Sequence, residues 1–210
     1  MAKLILVRHA KSEWNSLGLW TGWTDVSLSP DGVEEAKKTA EELRVISIDK
    51  TYASPLKRAV ETLAIIKEDL DLKKIPTETD DALKERNYGI YTGKNKWEIK
   101  DVVGEKTFQK IRRDFDYPIP EGETLKDVYD RVVPFYRNTI LADLKSGKNV
   151  LIVAHGNSLR ALVKKLENLS EEEVANLEIG IAEAYVYSID SEGKVLGKEI
   201  RGRNPNRGKI

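Results

Sequence analysis

The segment Leu4-Ile5-Leu6-Val7-Arg8-His9 joins a short apolar run directly to an arginine and a histidine. Four β-favouring residues in a row are typical of a strand that is buried on both faces, as strands are in a parallel sheet. Ligands of such sheets bind just beyond the carboxyl ends of the strands. The sequence therefore predicts that Arg8 and His9 face a ligand site.

A second segment repeats this arrangement further along the chain. Residues 149–154 form another strongly apolar run, and His155 and Gly156 follow it directly. A single histidine at a strand end is more often an ordinary polar residue than a catalyst. Both histidines of the chain occupy such positions, however, and two neighbouring parallel strands would bring both rings to one site. This coincidence is the main evidence for catalysis that the residues provide on their own.

Strand and helix signals alternate along the chain, which predicts one α/β domain over residues 1–210. Residues 48–53 predict another strand, and the pairs Ser29-Pro30 and Ser54-Pro55 are typical of helix starts. The helix that follows Ser54-Pro55 has Arg58 in its first turn. Free backbone N–H groups at a helix start favour anions, so Arg58 is a candidate phosphate clamp.

The remaining segments complete this α/β pattern. Residues 11–28 have no clear period and predict a long loop, and residues 123–145 predict a long helix that is interrupted at Pro134. Two edge strands are expected around a turn at residues 191–193, and residues 202–210 predict a mobile basic tail.

Composition excludes several classes of function. Lys plus Arg and Asp plus Glu number 35 each, so the surface as a whole has no electrostatic reason to bind nucleic acid or a membrane. There is no cysteine, which removes disulfides and thiolate chemistry, and two histidines without a paired motif do not favour a metal site. No apolar run reaches the length of a signal-peptide core or a membrane span, so a cytoplasmic protein with a small-molecule substrate is expected.

Seven basic residues follow the predicted strand ends or the loops beside them, and we expect them on one rim: Arg8, Lys11, Arg58, Arg86, Lys96, Arg112 and Arg113. In a chain of zero net charge, such a concentration indicates a small polyanion, because arginine forks match phosphate and carboxylate oxygens. The alternative is a surface of ordinary solvated charges.

A phosphate ligand gives the histidines a role. A neutral imidazole can accept a phosphoryl group as a nucleophile, and nearby arginines would lower its pKa toward the neutral form. Arginines and a second histidine can stabilise the charge on the transferring group. Glu85 is the leading carboxylate for proton transfer, and a simple ion pair with Arg86 or Lys84 is its alternative.

Several blocks of the sequence carry a resemblance to a known family. Residues 6–15, with Arg8-His9, are similar to the Arg-His-Gly signature of the histidine phosphatase superfamily, and Thr21-Gly22-Trp23-Thr24-Asp25 continues it as in the cofactor-dependent phosphoglycerate mutases. Further blocks match in the same order at residues 56–59, 85–89, 93–96, 112–113 and 154–162. The similarity covers roughly residues 3–190, and such a combination of blocks is highly specific.

The resemblance implies a three-layer sandwich with a mostly parallel central sheet flanked by helices, as in phosphoglycerate mutases. It implies that His9 is the phosphohistidine nucleophile and that Glu85 is the proton donor and acceptor. It places Arg8, Asn15, Arg58 and His155 around the phosphoryl group. The residues implied to hold the rest of a phosphoglycerate are Ser12, Thr21, Gly22, Arg86, Tyr88, Lys96, Arg112, Arg113, Gly156 and Asn157.

The same resemblance implies priming by 2,3-bisphosphoglycerate, no metal, a role in glycolysis and gluconeogenesis, and a monomer or homodimer. The alternatives are a histidine phosphatase that acts on small phosphomonoesters and a catalytically weak homologue that binds a phosphorylated ligand. The sequence departs from the family pattern at Ala10, Lys11 and residues 180–184, and it ends in a short tail after Ile200. These departures leave the balance between mutase and phosphatase activity open, and Lys11 is expected to add positive charge near the nucleophile.

Overall fold

The structure, a computed structural model, describes residues 1–202. The expected basic tail therefore lies outside the described residues from residue 203 onward. The described residues form one six-stranded sheet in the order β3-β2-β4-β1-β5-β6. The strands are β1 Ala2–Arg8, β2 Lys50–Ala53, β3 Thr77–Thr79, β4 Val150–Ala154, β5 Ala184–Ile189 and β6 Val195–Arg201.

The centre of the sheet confirms the predicted pairing of the two apolar strands. β1 runs parallel to β4 with Arg8 opposite Ala154, so the residues that follow both strands emerge at the same edge. β2 is parallel to both β4 and β3, whereas β5 and β6 are antiparallel. The parallel part of the sheet therefore delivers His9 and His155 side by side.

Both faces of the sheet are covered, as the apolar runs predict. Leu4 and Leu6 of β1 belong to the core cluster on one face, and Ile5 and Val7 belong to the cluster on the other. This separation follows from the two-residue period of a strand. Burying each such side chain contributes about 1.5–3 kcal/mol, so strand register is strongly fixed here.

The helices form the two outer layers of the sandwich. Pro30–Leu43 (α2) and Lys57–Asp69 (α3) cover one face, whereas Leu125–Phe135 (α6), Gly156–Glu167 (α8) and Glu171–Asn176 (α9) pack on the other. Two further helices, Lys96–Val103 (α4) and Glu105–Arg113 (α5), pack on each other, and α5 shares a separate cluster with Trp20. The remaining helical segments are Glu13–Ser16 (α1), Leu141–Lys145 (α7), the single turns Asp81–Leu83 and Gly89–Tyr91, and a π-helical segment, Tyr136–Ile140.

Three predictions about individual elements need correction. β5 is not an edge strand: it lies between β1 and β6 and is largely buried. The helix after β2 is capped by Leu56 and begins at Lys57, so Ser54 does not start it, because the Ser54 hydroxyl is engaged by His155 instead. The loop over residues 11–28 contains the short helix α1, which Ser12 caps.

The long helix before β4 is interrupted, as predicted. A π-helical segment follows Pro134, which cannot donate a backbone hydrogen bond within the helix. Within residues 1–202, no helix is both long and apolar enough to cross a membrane.

Candidate active site

His9 follows β1 directly, and its side chain is only 3% exposed. Its Nδ1 lies 2.7 Å from the carbonyl oxygen of Ala10. A carbonyl can only accept, so Nδ1 carries the proton and Nε2 keeps its lone pair. Burial, followed by the charges of Arg58 and Arg8, lowers the pKa of His9 well below its usual value. His9 is therefore a neutral imidazole with an available Nε2.

His155 follows β4 and stands beside His9, with 5.0 Å between the ring centroids. Its Nε2 lies 2.7 Å from the Ser54 hydroxyl at the end of the neighbouring strand β2. Burial and then the charge of Arg58 lower the pKa of His155 well below its usual value, with smaller contributions from His9 and Arg8. Two neutral imidazoles thus lie next to each other, buried at the strand ends.

Arg58 lies in the first turn of α3, as predicted, and is almost completely buried. Its guanidinium donates to the carbonyl oxygens of Gly22 at 2.8 Å and Thr24 at 3.0 Å. Burial lowers the pKa of Arg58 to about 10, so the group remains charged at neutral pH. Arg58 therefore fixes the loop over residues 21–24 against the histidines while keeping its positive charge beside them.

Glu85 lies in the loop after β3 and is 8% exposed. Its Oε1 accepts hydrogen bonds from the backbone N–H of Arg86 at 2.7 Å and from the side-chain amide of Asn157 at 3.0 Å. The alternative of a simple ion pair with Arg86 or Lys84 is wrong, because Lys84 pairs with Asp81 and the Arg86 side chain donates to the carbonyl oxygen of Ile111.

A solvent-open cleft lies next to these groups, and Arg8 and Glu85 form part of its wall. The residues that line it are Arg8, Trp20, Glu85, Tyr88, Lys96, Arg112, Arg113, Gly156, Asn157, Arg160, Glu178 and Ile179. Burial and the nearby charges of Arg8 and Arg112 lower the pKa of Lys96 to about 8. Cations crowded in this way are stabilised by an anionic ligand.

The structure brings eight of the sequence-predicted residues to this cleft: Arg8, Glu85, Tyr88, Lys96, Arg112, Arg113, Gly156 and Asn157. The other predicted residues, including His9, Arg58 and His155, are not among those that line it. Ser12 and Asn15 cap α1 through reciprocal hydrogen bonds, and Gly22 accepts from Arg58, with Thr21 directly before it. The fully buried Arg86 donates to main-chain oxygens of α5 and stacks on Tyr88, so it supports the arginines beside it.

The expected contribution of Lys11 needs correction. Its Nζ lies 3.2 Å from a carboxylate oxygen of Asp31 in the first turn of α2, and Lys11 does not line the cleft. Its charge is therefore compensated locally instead of adding to the positive charge beside His9. At Ala10 the backbone is not left-handed, so a Cβ is accommodated there without strain.

Residues 180–184, which depart from the family pattern, hold the main chain of Arg8. The N–H of Arg8 donates to the carbonyl oxygen of Glu183, and the N–H of Ala182 donates back to that of Arg8, both at 3.2 Å. Ala182 has a φ of +60°, a left-handed conformation that a glycine would adopt more easily. This segment is therefore part of the scaffold of the site.

Three important charged residues were missed by sequence reasoning. Arg131 of α6 donates to the carbonyl oxygens of Ala82, Lys84 and Glu85, and so holds the Glu85 loop. Arg160 of α8 donates to Asn157 and to the carbonyl oxygen of Arg113, at 2.9 Å in both cases. Glu178 lines the cleft. Arg160 lies within a block of sequence that matches the family. The residues next to Arg131 and Glu178 in the sequence form no pattern that indicates which groups these side chains contact.

In the part of the chain that the structure describes, no group of three or more His, Cys, Asp or Glu side chains is arranged to hold a metal ion.

Comparison with known proteins agrees with this arrangement. Residues 4–199 match the histidine phosphatase superfamily (branch 1). The chain is 42% identical to a 2,3-bisphosphoglycerate-dependent phosphoglycerate mutase of Parvibaculum lavamentivorans over 199 residues, covering 94% of this chain and 95% of that protein. It is 41% identical to a phosphoglycerate mutase of Schizosaccharomyces pombe, with 94% of each chain covered.

Solved structures share the fold at lower identity. Bacillus stearothermophilus YhfR superimposes with a TM-score of 0.83 at 24% identity, covering 97% of this chain and 98% of that one. A mycobacterial glucosyl-3-phosphoglycerate phosphatase gives a TM-score of 0.78 at 23% identity, covering 95% and 97%. From the matched blocks and the extent of identity, this chain belongs to branch 1 of the histidine phosphatase superfamily and, within it, to the phosphoglycerate mutases.

Proposed function

We propose that this protein is an isomerase that interconverts 2-phosphoglycerate and 3-phosphoglycerate through a phosphohistidine at His9. The observation that carries the proposal is a neutral imidazole with an available Nε2 beside a cleft lined by several cations. The curated relatives at about 40% identity are named as phosphoglycerate mutases, which supports the same reaction.

His9 acts as the nucleophile in this proposal. Its Nε2 attacks phosphorus, and the bond from phosphorus to the glycerate oxygen breaks. The hydrogen bond from Nδ1 to Ala10 holds the ring in the required tautomer and stabilises the positive charge that develops on it. Arg8, Arg58 and His155 surround the transferring group and stabilise the charge on its oxygens.

Glu85 carries the proton. When phosphorylated His9 gives its phosphoryl group to the free hydroxyl of a monophosphoglycerate, the Glu85 carboxylate accepts the hydroxyl proton, and it returns a proton when the other phosphoryl group moves to His9. Hydrogen bonds from Asn157 and from the backbone of Arg86 keep this carboxylate in place. Its low exposure limits competition from water.

The distal part of the cleft favours a mutase over a broad phosphatase. Lys96, Arg112 and Arg113 line the same cleft as Arg8 and Glu85, so a ligand there can place a second anionic group on them. A phosphatase of simple monoesters needs the histidines, Arg8 and Arg58, but it has no use for three further cations. We propose that these three hold the carboxylate and the second phosphate.

The same residues fit 2,3-bisphosphoglycerate. The Nε of Arg8 is buried without a hydrogen-bond partner within residues 1–202, which suits a ligand oxygen, and the distal cations match a second phosphate. When bound, this ligand supplies the phosphoryl group that primes His9. The names of the relatives imply the same dependence, and the proposed mechanism uses no metal.

The proposed setting is glycolysis and gluconeogenesis in the cytoplasm, with a phosphoglycerate as the small-molecule partner and with the chain acting as a monomer or homodimer. Balanced surface charge supports the absence of nucleic-acid and membrane partners from this proposal.

The decisive experiment measures conversion of 3-phosphoglycerate to 2-phosphoglycerate with and without 2,3-bisphosphoglycerate, together with phosphate release, in the presence and absence of a chelator. We expect isomerisation that depends on the bisphosphate, exceeds phosphate release and is insensitive to the chelator. Phosphate release far above isomerisation would instead identify a phosphatase, and loss of activity with the chelator would contradict the metal-free mechanism.

The nucleophile is tested separately. His9→Ala should abolish the acid-labile phosphoenzyme that forms with labelled 2,3-bisphosphoglycerate, because the substitution removes the nitrogen that accepts the phosphoryl group. Label that persists in the variant would place the nucleophile elsewhere.

A further inference from the structure

Glu178 puts a carboxylate into a cleft that is otherwise suited to anions. It lies in the segment between α9 and β5, lines the cleft, and its side chain is 22% exposed. One carboxylate oxygen forms an ion pair with a guanidinium nitrogen of Arg113, and the other lies 3.8 Å from Nη1 of Arg8. A residue of the chain thus contacts two cations that a ligand would use.

The main chain around Glu178 is held independently of its carboxylate. Arg8 donates to the carbonyl oxygen of Ile179 at 2.7 Å, and the hydroxyl of Tyr185 donates to the carbonyl oxygen of Glu178 at 3.1 Å. The carboxylate can therefore leave Arg113 by side-chain rotation while its segment stays in place.

The charge of Glu178 also acts on cations beyond Arg113 and Arg8. It raises the pKa values of Lys96, Arg112 and Arg160, although for each of these burial has a larger effect in the opposite direction. Glu178 therefore offsets part of the positive potential of the whole distal cleft.

We propose that Glu178 is a specificity-determining residue that competes with the distal anionic group of the ligand for Arg113. The inference rests on the proposed function, because it concerns the second anionic group of a phosphoglycerate. A ligand with a carboxylate or a second phosphate displaces Glu178 from Arg113, whereas a ligand without one leaves the ion pair intact. The displaced Glu178 keeps its negative charge and repels the bound ligand. This repulsion weakens the binding of the most highly charged ligand most.

The test compares ligands of increasing distal charge by titration calorimetry: inorganic phosphate, 3-phosphoglycerate and 2,3-bisphosphoglycerate. The variant is Glu178→Gln, which keeps the shape of the side chain and removes its charge. We expect the Kd of 2,3-bisphosphoglycerate to fall about tenfold and that of 3-phosphoglycerate about threefold, since one charge a few ångströms away in a partly solvated cleft acts on this scale. The Kd of inorganic phosphate should change less than twofold.

Two controls separate competition from other effects. Glu171→Gln removes the same charge from the exposed first turn of α9 and should leave all three Kd values unchanged. Repeating the titrations at higher ionic strength should reduce the difference between Glu178→Gln and the wild type, because salt screens the interaction. Thermal unfolding of each variant verifies that it is folded, and Glu178→Asp, which keeps the charge on a shorter side chain, should give an intermediate Kd.

The opposite result has a clear meaning. If Glu178 merely holds Arg113 in position for the ligand, Glu178→Gln will weaken binding of both phosphoglycerates, and the proposal is overturned. Unchanged Kd values in a variant that retains mutase activity would overturn it as well, while leaving the proposed function intact. If the wild type binds 3-phosphoglycerate no more tightly than inorganic phosphate, both this proposal and the proposed substrate are wrong.

Discussion

Acidification between pH 7 and pH 5.5 should destabilise this protein through its two histidines. His9 and His155 are buried and have folded-state pKa values well below 6.5. The unfolded chain therefore binds protons that the folded protein does not bind. The stability that the two neutral imidazoles contribute is fully present above the pKa that histidine has in the unfolded chain. It is lost as the pH falls below that value, until the folded-state pKa is reached.

The magnitude follows from linkage. With an unfolded pKa of about 6.5 and a neutral folded imidazole, one histidine removes about 1 kcal/mol of unfolding free energy between pH 7 and pH 5.5. The two together remove about 2 kcal/mol, a substantial part of the 5–15 kcal/mol that is typical of a domain. Carboxylates whose pKa values are lowered by partners, such as Asp127, contribute below about pH 5, so this window reports mainly on the histidines.

The assay is urea unfolding at fixed ionic strength between pH 5.5 and pH 7.5, in buffers without phosphate because phosphate would bind the folded site. His9→Gln should retain about half of the pH dependence, since only His155 then remains buried. An unfolding free energy that stays constant within about 0.5 kcal/mol over this range would refute the reasoning, because both imidazoles would then be protonated alike in the folded and unfolded states.

Three further predictions concern the cleft and its supports. Arg131→Met should lower the unfolding free energy by about 3 kcal/mol in urea titrations and lower kcat about tenfold, because the main chain around Glu85 loses the hydrogen bonds that hold it. Arg131→Lys should restore only part of the stability and of kcat, since lysine lacks the planar guanidinium with its several donors. Glu85→Gln should lower kcat by about 100-fold in steady-state assays with little change in stability; an unchanged kcat would exclude proton transfer by Glu85. Arg112→Ala should raise the KM for 3-phosphoglycerate about tenfold and change kcat less, and a pure kcat effect would contradict a binding role.

Much of the sheet was predictable because its signals are local. The apolar runs before His9 and before His155 are too short for helices and are followed by polar residues, so they indicate strands that end at a site. The position of Arg58 in the first turn of a helix was also correct. The exact start of that helix was not, because the Ser54 hydroxyl contacts His155, about one hundred residues away in sequence.

The partners of charged side chains were much harder to predict. Lys11 and Arg113 are both basic residues in segments that match the family, yet Lys11 pairs with Asp31 whereas Arg113 lines the cleft. Such pairings depend on the packing of elements that are distant in sequence. For the same reason, the contacts of Arg131 and Glu178 had no counterpart in the local pattern.

The sequence by itself determined that the central strands are buried on both faces, that both histidines lie at strand ends, and which family the chain belongs to. These properties follow from residue types and short-range periods. Such periods determine on which face of a strand each side chain lies, whatever its distant partners are. Only the tertiary structure decided the protonated nitrogen of His9, the clamp on Glu85 and the carboxylate of Glu178 beside Arg113. Those depend on distances of a few ångströms between separate segments, and both hydrogen bonding and Coulomb interaction change steeply over such distances.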